Sequence, residues 1–156
     1  MDFGLSSEQE MLGETVRRCL AETCPLDHVR FCVDAGSAVS DRVMAAFHEI
    51  GLTGLMVPEA HGGLGMTMLD AAVVAEQLGR AVAPVPFLGR SVLAPLALML
   101  AGSPAQQADW LPRIASGAAR FGVAIAGIVE ERDGASVLIE DGGLTGTALF
   151  ALDFEG

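Results

Sequence analysis

The sequence predicts an α+β protein, an N-terminal up-and-down helical bundle followed by the beginning of an antiparallel β domain. Residues 6–117 divide into apolar stretches with helical spacing, each bounded by a capping residue and a stop signal. After residue 120, short β-branched runs separated by glycine-rich turns replace that pattern. We therefore expect a helical domain over residues 1–119 and a partial, truncated middle β domain over residues 120–156.

The first two predicted helices each begin at a serine. Ser7 and Glu10 have the spacing of a capping box, and the helix that they begin should run to about residue 23, where Cys24 and Pro25 stop it. Ser40 should cap a second helix over residues 41–50, which Gly51 ends. Its predicted inward-facing residues are Val43, Met44, Phe47 and Ile50.

Three further helices are predicted before residue 118. Thr67 should cap the third helix, and Gly79 should supply its left-handed exit. The fourth, over residues 91–101, is nearly all apolar and is therefore expected at the centre of the bundle. Ser103 should cap the fifth, which ends near Ser116 and Gly117. The expected apolar face of the third helix consists of Met68, Leu69, Ala72, Val73 and Leu78.

The remaining residues have the pattern of short strands. A β-branched run begins at Val123, and a hairpin is predicted from residues 137–139, a turn at Asp141, Gly142 and Gly143, and residues 144–152. A lone hairpin is marginally stable in water. We therefore expect the protein, or its complex, to continue beyond Gly156.

Composition limits the partners and the location of the protein. The 156 residues carry a formal charge of −11, with nine Lys and Arg residues in total, all of them Arg. This acidity argues against nucleic acid as a partner. No apolar run is long enough for a membrane span, and the first residues lack the features of a secretory signal, so a cytoplasmic location with reduced cysteines is expected.

Several clusters of cysteine, histidine, glycine and glutamate residues are candidate chemical sites. Cys19, Cys24, His28 and Cys32 have no metal-binding spacing, so buried thiols are favoured over a metal site. His48 and His61 have no nucleophile in a strand-turn-helix elbow beside them, which argues against a catalytic triad. The loop Gly62, Gly63, Leu64 and Gly65 lacks the ending of a phosphate loop and is interpreted as a turn. Glu76, Glu130 and Glu131 are the candidate carboxylates for proton abstraction, although Glu76 is better explained as a solvated or packing residue.

The order of motifs is the strongest functional signal in the chain. Residues 55–80, LMVPEAHGGLGMTMLDAAVVAEQLGR, closely resemble the loop and helix that line the floor of the acyl pocket in acyl-CoA dehydrogenases. The similarity continues from the opening FGLSSEQ through WLPRIASG to LTGT near the end. It implies a flavoprotein that binds FAD and desaturates acyl-CoA thioesters between the α and β carbons. Electron-transfer flavoprotein is the implied partner, in a homo- or hetero-oligomer.

The resemblance also implies site residues. Family members carry a loop of the form aromatic-x-[Leu/Val]-[Thr/Ser]-Glu-Pro-x-x-Gly-Ser-Asp, which binds the flavin ring and approaches the thioester. Here the glutamate is kept as Glu130, whereas valine and alanine replace the hydroxyl residue and the serine. The implied flavin contacts are Ile128, Val129, Gly134, Phe150 and Leu152, and the implied substrate contacts are Glu76, Ala135 and Ser136. The family base lies in a C-terminal domain, so no catalytic residue is expected in this chain and the fragment alone should be inactive.

Two alternatives remain open. In a heteromeric dehydrogenase, a non-catalytic subunit could lose flavin-contacting side chains, which the residues Val129, Ala135 and Leu152 favour. A free-standing helical interaction module is a third interpretation, which an uncovered apolar patch at the fourth helix would support.

Overall fold

The computed structural model describes residues 4–124, 137–148 and 151–153. This part of the chain contains six α-helices followed by two short antiparallel strand pairs, which confirms the α+β prediction. The helices are α1 (Ser7–Thr23), α2 (Leu26–Asp34), α3 (Asp41–Glu49), α4 (Met68–Ala81), α5 (Ala94–Ala101) and α6 (Pro104–Ala115). The strands are β1 (Val123–Ala124), β2 (Val137–Glu140), β3 (Gly143–Gly146) and β4 (Ala151–Leu152).

The start of α1 differs from the prediction by one residue. Ser6, not Ser7, is the N-cap, and it forms a capping box with Gln9 rather than Glu10. Ser6 with Gln9 and Ser7 with Glu10 each consist of a serine followed three residues later by a side chain that can accept a hydrogen bond from the serine's backbone N–H. Both pairs therefore fit the capping-box pattern equally well. Ser6 is the residue with an extended backbone, which an N-cap requires.

Helix α2 was not predicted. Pro25 was interpreted as a stop for α1, but it also serves as the N-cap residue of α2. Proline is tolerated at a helix start because its missing N–H would have no partner there. Val29 and Cys32 on α2 are buried, while Phe31 and Val33 are exposed.

Helices α3 and α4 begin where predicted, at Ser40 and Thr67, but their buried faces and ends differ. Ile50 was expected to face inward, yet it follows the end of α3 and is exposed. Gly79 lies inside α4, and Val82 takes the left-handed conformation with φ 50° instead. Met68, Leu69 and Ala72 were expected in the core and are exposed, whereas Ala71, Val73, Val74 and Leu78 are buried.

The fourth predicted helix has two parts. A π-helical segment, Leu88–Leu93, precedes α5 and adds the turn that the sequence pattern did not reveal. Pro95 lies in the first turn of α5, as expected, but Leu100 is 78% exposed. Helix α6 begins with a Ser103–Gln106 capping box, as its sequence predicts.

The main core forms where α1 packs on α4. Val16 and Leu20 on α1 are buried together with Val74 and Leu78 on α4. Gly13 allows the two helices to approach closely, since a Cβ there would lie 3.2 Å from Val73 Cγ1. A second cluster joins α6 to the loop after α3, through Val57, Leu111 and Ile114.

The strands form two separate pairs in the described residues. Strands β2 and β3 form the predicted hairpin around Asp141 and Gly142, with Ile139 opposite Leu144. Strand β4 does not extend that hairpin; it pairs with β1, Val123 opposite Leu152. This second pair brings the residues that follow α6 beside the π-helical segment.

Candidate functional site

A cleft of about 300 Å³ lies between α3, the π-helical segment and the chain that follows α6. Helix α3 contributes His48, the π-helical segment contributes Arg90, and the chain after α6 contributes Arg120. A neighbouring cleft of about 210 Å³ shares Arg90 and includes Asp153 beyond β4. Arg90 is therefore placed where the helices meet the β1–β4 pair. We refer to the larger space as the arginine cleft.

Close packing fixes one wall of the arginine cleft. Thr53 is buried, and its hydroxyl donates a 2.9 Å hydrogen bond to the carbonyl oxygen of Ala115 at the end of α6. Beside it, a Cβ on Gly54 would lie only 3.0 Å from the α-carbon of Ala115. This contact holds the end of α6 against the turn that follows α3.

The π-helical segment forms another part of the lining of the arginine cleft. The backbone N–H of Gly89 donates a hydrogen bond to the carboxylate of Asp153. A Cβ on Gly89 would lie 2.7 Å from Asp153 Oδ2, so only glycine allows this approach without displacement. The segment that carries Arg90 is thereby connected to the end of β4. Single π turns occur often at functional sites.

The charges around the arginine cleft differ from those of the whole chain. Two guanidinium groups and one imidazole line it, and Asp41 is the one carboxylate among its described lining residues. The chain as a whole carries a formal charge of −11. Arginine presents a planar set of N–H donors that suits carboxylate and phosphate groups.

Most predicted site residues lie outside the described part of the chain. These are Ile128, Val129, Gly134, Ala135, Ser136 and Phe150, together with Glu130 and Glu131. Leu152 is described; it is half-buried in β4 opposite Val123. Its role in flavin binding stays a prediction.

Glu76 lines a different space from Arg90, a groove between α1 and α4. Its Oε1 lies 2.6 Å from Arg80 Nη2, four residues later on the same helix, and both side chains are more than half exposed. An exposed ion pair of this kind contributes little to stability. The described contacts thus match the solvated role that we favoured, and a substrate contact stays a prediction.

The cysteines and His28 have ordinary packing partners. The three cysteines are free thiols, and burial raises the pKa of the Cys19 and Cys24 thiols. His28 Nε2 lies 2.7 Å from the hydroxyl of Ser40 and 3.7 Å from Cys32 Sγ. Among the described residues, no group of three or more metal-ligating side chains is positioned to hold an ion.

The glycine-rich loop is a turn, as its sequence predicts. The backbone N–H groups of Gly63, Leu64 and Gly65 donate to carbonyl oxygens of Pro58, Gly54 and Val57. Amides that are engaged within the protein are not available to cradle a phosphate. The loop instead packs the chain between α3 and α4.

Sequence reasoning did not identify Arg90 and Arg120. The available signal was compositional, because the chain has no lysine and its nine Lys and Arg residues are all arginine, the side chain that suits carboxylate and phosphate groups. Nothing in the spacing indicates which of the nine would meet, since the two lie on elements that only the fold brings together.

Residues 6–118 match the family model described as acyl-CoA dehydrogenase, N-terminal domain. The chain belongs to the acyl-CoA dehydrogenase family. It is 35% identical over 115 residues to (2S)-methylsuccinyl-CoA dehydrogenase of Cereibacter sphaeroides, covering 73% of this chain and 21% of that protein. The chain thus spans about a fifth of that relative's length.

Two solved acyl-CoA dehydrogenase-family structures share the fold. The ChsE4-ChsE5 complex from Mycobacterium tuberculosis matches with a TM-score of 0.69 and 30% identity, over 75% of this chain and 32% of that one. An acyl-CoA dehydrogenase from Bacillus anthracis, complexed with FAD, matches with a TM-score of 0.62 and 26% identity, over 73% of this chain and 20% of that one.

The acyl-CoA dehydrogenase family is FAD-dependent, which raises the question of whether this chain fits the cofactor. Leu152 is the one predicted flavin contact in the described residues, and its side chain offers carbon atoms alone. The described residues therefore supply no side-chain hydrogen bond at a predicted flavin position.

No helix in the described ranges has the length and apolar character needed to cross a membrane.

Proposed function

We propose that this protein functions as an acyl-CoA dehydrogenase that forms a double bond between the α and β carbons of an acyl-CoA thioester. The observation that carries the proposal is the family match over residues 6–118, the segment that forms the six helices. FAD, if held at the predicted flavin contacts, would supply the acceptor for the hydride, and electron-transfer flavoprotein would be the partner that receives the electrons. The proton-abstracting base comes from groups outside these 156 residues.

In this proposal the helices help to orient the acyl group and carry out no chemical step themselves. The arginine cleft lies at the meeting point of the helices and the β1–β4 pair, and Leu152, one of the predicted flavin contacts, lies in β4. A rigid wall there would orient the acyl group and exclude water. The same proposal includes a boundary at residue 119 between a helical and a β domain. It also includes a cytoplasmic location for the protein.

The test is to purify the protein from its source organism together with its associated chains. We expect flavin absorbance in the preparation and reduction of an artificial electron acceptor that depends on added acyl-CoA. A flavin-free preparation that reduces no acceptor with any acyl-CoA would contradict the proposed activity. The same preparation heated to denaturation serves as the background.

The second candidate function is a non-catalytic subunit of a heteromeric acyl-CoA dehydrogenase. One solved structure with the same fold is a complex of two chains, ChsE4 and ChsE5. The sequence also has valine and alanine where the family loop has hydroxyl residues, at Val129 and Ala135. Both observations favour a partner chain that supplies the intact flavin site.

One double variant separates the two candidates. If this chain binds flavin directly, Val129→Thr with Ala135→Ser should tighten flavin binding roughly five- to 150-fold, because each regained hydrogen bond is worth about 0.5–1.5 kcal/mol. Val33→Thr is the matched control, since Val33 is 71% exposed on α2. An unchanged flavin content, with the flavin bound by the partner chain, would favour the non-catalytic subunit.

A further inference from the structure

We propose that Asp153 is a latch between the strands and the helices. Its carboxylate caps the helix that starts at Leu88, so that the first turn of this helix stays formed only while β4 is docked. This helix consists of the π-helical segment, Leu88–Leu93, and α5, which follows it directly. Because Arg90 in the first turn lines the arginine cleft, the latch couples the position of β4 to the lining of that cleft. The coupling does not depend on the proposed activity.

The first argument is that this helix has no side-chain cap of its own. Phe87 occupies the N-cap position, and a phenylalanine side chain has no atom that can accept a hydrogen bond. Helices α1, α3, α4 and α6 instead have a serine or threonine there, whose hydroxyl accepts from the first turn. The first N–H groups of a helix need such a partner, because the helix itself offers them no carbonyl oxygen.

The second argument is that Asp153 supplies this partner from a distant part of the chain. Its carboxylate accepts a hydrogen bond from the backbone N–H of Gly89, which lies in the first turn and is buried. Aspartate is among the residues that serve best as helix caps. Without the carboxylate, a buried N–H group would lose its partner, which costs more than the loss of an exposed hydrogen bond.

The third argument is that both ends of the contact have special backbone requirements. Asp153 has a positive φ of 57°, which aspartate, asparagine and glycine tolerate better than other residues do. A Cβ at Gly89 would lie 2.7 Å from Asp153 Oδ2 and 3.0 Å from Asp153 Cβ. The contact thus needs a residue that accepts positive φ at one position and the absence of a side chain at the other.

The fourth argument is that the strand side of the latch is weak by itself. Strand β4 pairs with β1 over two residues, Val123 opposite Leu152 and Ala124 opposite Ala151. An isolated pair of strands is marginally stable in water even when it is longer than this one. The Asp153 contact therefore also stabilises the docked position of β4, and loosening either side releases the other.

The experiment is hydrogen–deuterium exchange of the 156-residue chain, followed in peptides that cover Leu88–Leu93. Asp153→Gly removes the carboxylate and keeps the tolerance of positive φ, whereas Asp153→Asn keeps both that tolerance and an acceptor oxygen. We expect Asp153→Gly to speed the exchange of these amides about two- to thirty-fold, the range for a lost helix cap. The exchange in Asp153→Asn should stay within about two-fold of that in the parent.

Asp141 provides the matched control. It is the same residue type with a positive φ of 50°, but it lies in the turn between β2 and β3, in the other strand pair. Asp141→Gly should leave the exchange of the π-helical segment unchanged. Exchange of the α1 amides reports whether a variant loosens the whole chain, and we expect it to be equal in all of these variants.

Gly89→Ala tests the latch from the helix side, because the latch reverses the expected sign of the effect. Alanine is favoured over glycine within a helix, so this substitution should slow exchange if nothing lies beside Gly89. With the carboxylate in place, the added methyl group must displace Asp153, and we expect faster exchange instead. In the Asp153→Gly background the same alanine should slow exchange, which is the non-additivity expected of residues in contact.

Three results would overturn the inference: exchange in Asp153→Gly equal to that in the parent, exchange in Asp153→Asn as fast as in Asp153→Gly, or slower exchange in Gly89→Ala than in the parent. If Gly89→Ala does not fold, the two Asp153 variants decide alone. Flavin content and acyl-CoA-dependent reduction, which test the proposed function, do not enter this result.

Discussion

Two glycines show how strongly a single residue can depend on its surroundings. A Cβ on Gly63 would lie 2.1 Å from the carbonyl oxygen of Val57, which is part of the backbone and cannot rotate away. A Cβ on Gly79, within α4 and exposed, would meet nothing within 4 Å. The same substitution should therefore have opposite effects at the two positions.

We expect Gly63→Ala to lower the free energy of unfolding by about 1–3 kcal/mol, because the loop must move away from Val57. Gly79→Ala should raise it by about 0.5–1 kcal/mol, because alanine loses less backbone entropy in a helix. Urea denaturation of the two variants and the parent chain measures both changes. Equal effects of the two substitutions would show that the loop does not pack as described.

Asp70 gives the start of α4 a pH dependence. Its carboxylate accepts hydrogen bonds from the hydroxyl of Thr67 at 2.7 Å and the N–H of Thr67 at 2.8 Å, and also from Gln9 on α1. The Thr67 hydroxyl, followed by the Thr67 N–H, lowers the pKa of Asp70 below its usual 3.8. Since folding lowers this pKa, the ionised group stabilises the fold above 3.8, and that contribution is lost as the pH falls further.

Asp70→Asn should consequently be less stable than the parent at neutral pH, by about 0.3–1 kcal/mol for a charge at a helix start. The difference should shrink as the pH is lowered through the range below 3.8. Urea denaturation across that pH series is the measurement, with Asp109→Asn on α6 as a surface control. A difference that does not change with pH would rule out the ionised capping contact.

At the scale of elements, the packing of α1 on α4 is the dominant contact. Leu20 on α1 is 2% exposed and belongs to the main core, while Met11 on the same helix is 65% exposed. Both are large apolar residues of α1, so their hydrophobicity alone does not distinguish them. Their difference comes from the side of α1 that faces α4.

Leu20→Ala should destabilise the chain by about 2–5 kcal/mol through lost burial and a residual cavity. Met11→Ala should change the stability by no more than about 0.5 kcal/mol, because it removes an exposed side chain. Thermal and chemical denaturation compare the pair. Similar losses for both would indicate that another surface covers Met11 in the isolated chain.

For the whole molecule, the described structure consists mainly of helix, and the strands are short pairs at its end. The chain also spans 21% of the (2S)-methylsuccinyl-CoA dehydrogenase to which it is similar. Helical structure and cofactor binding can therefore be tested separately on the 156-residue chain.

We expect the isolated chain to have a helix-dominated circular dichroism spectrum, to be colourless and to lack dehydrogenase activity. Helices α1, α3, α4 and α6 begin with a side-chain cap, whereas the family resemblance places the predicted flavin contacts from Ile128 onwards and the base in a separate C-terminal domain. Circular dichroism and absorbance after gel filtration are the measurements. A flavin absorbance band that stays with the isolated chain would contradict the expected lack of colour. A strand-dominated circular dichroism spectrum would contradict the expected helical structure.

Local features were predictable from the sequence because they depend on residues within a few positions of one another. Ser40, Thr67 and Ser103 cap their helices as predicted, and Asp141 and Gly142 form the predicted turn. A helix cap needs only a side-chain oxygen close to the N–H groups of the first helical turn. A hairpin turn needs only residues that tolerate positive φ.

Tertiary structure alone decided which faces are buried and which side chains meet. Leu69 is exposed and Val74 is buried on the same helix, because the position of α1 selects the face. The sequence pattern does not distinguish helix α2 from a loop, whereas the structure shows that Val29 on α2 packs in the main core. Arg90 and Arg120 meet at one cleft because the chain after α6 returns to the π-helical segment, a path that no local pattern encodes. The sequence by itself determined the helical start, the β ending and the family, while the charge of the cleft arises only from contacts between distant residues.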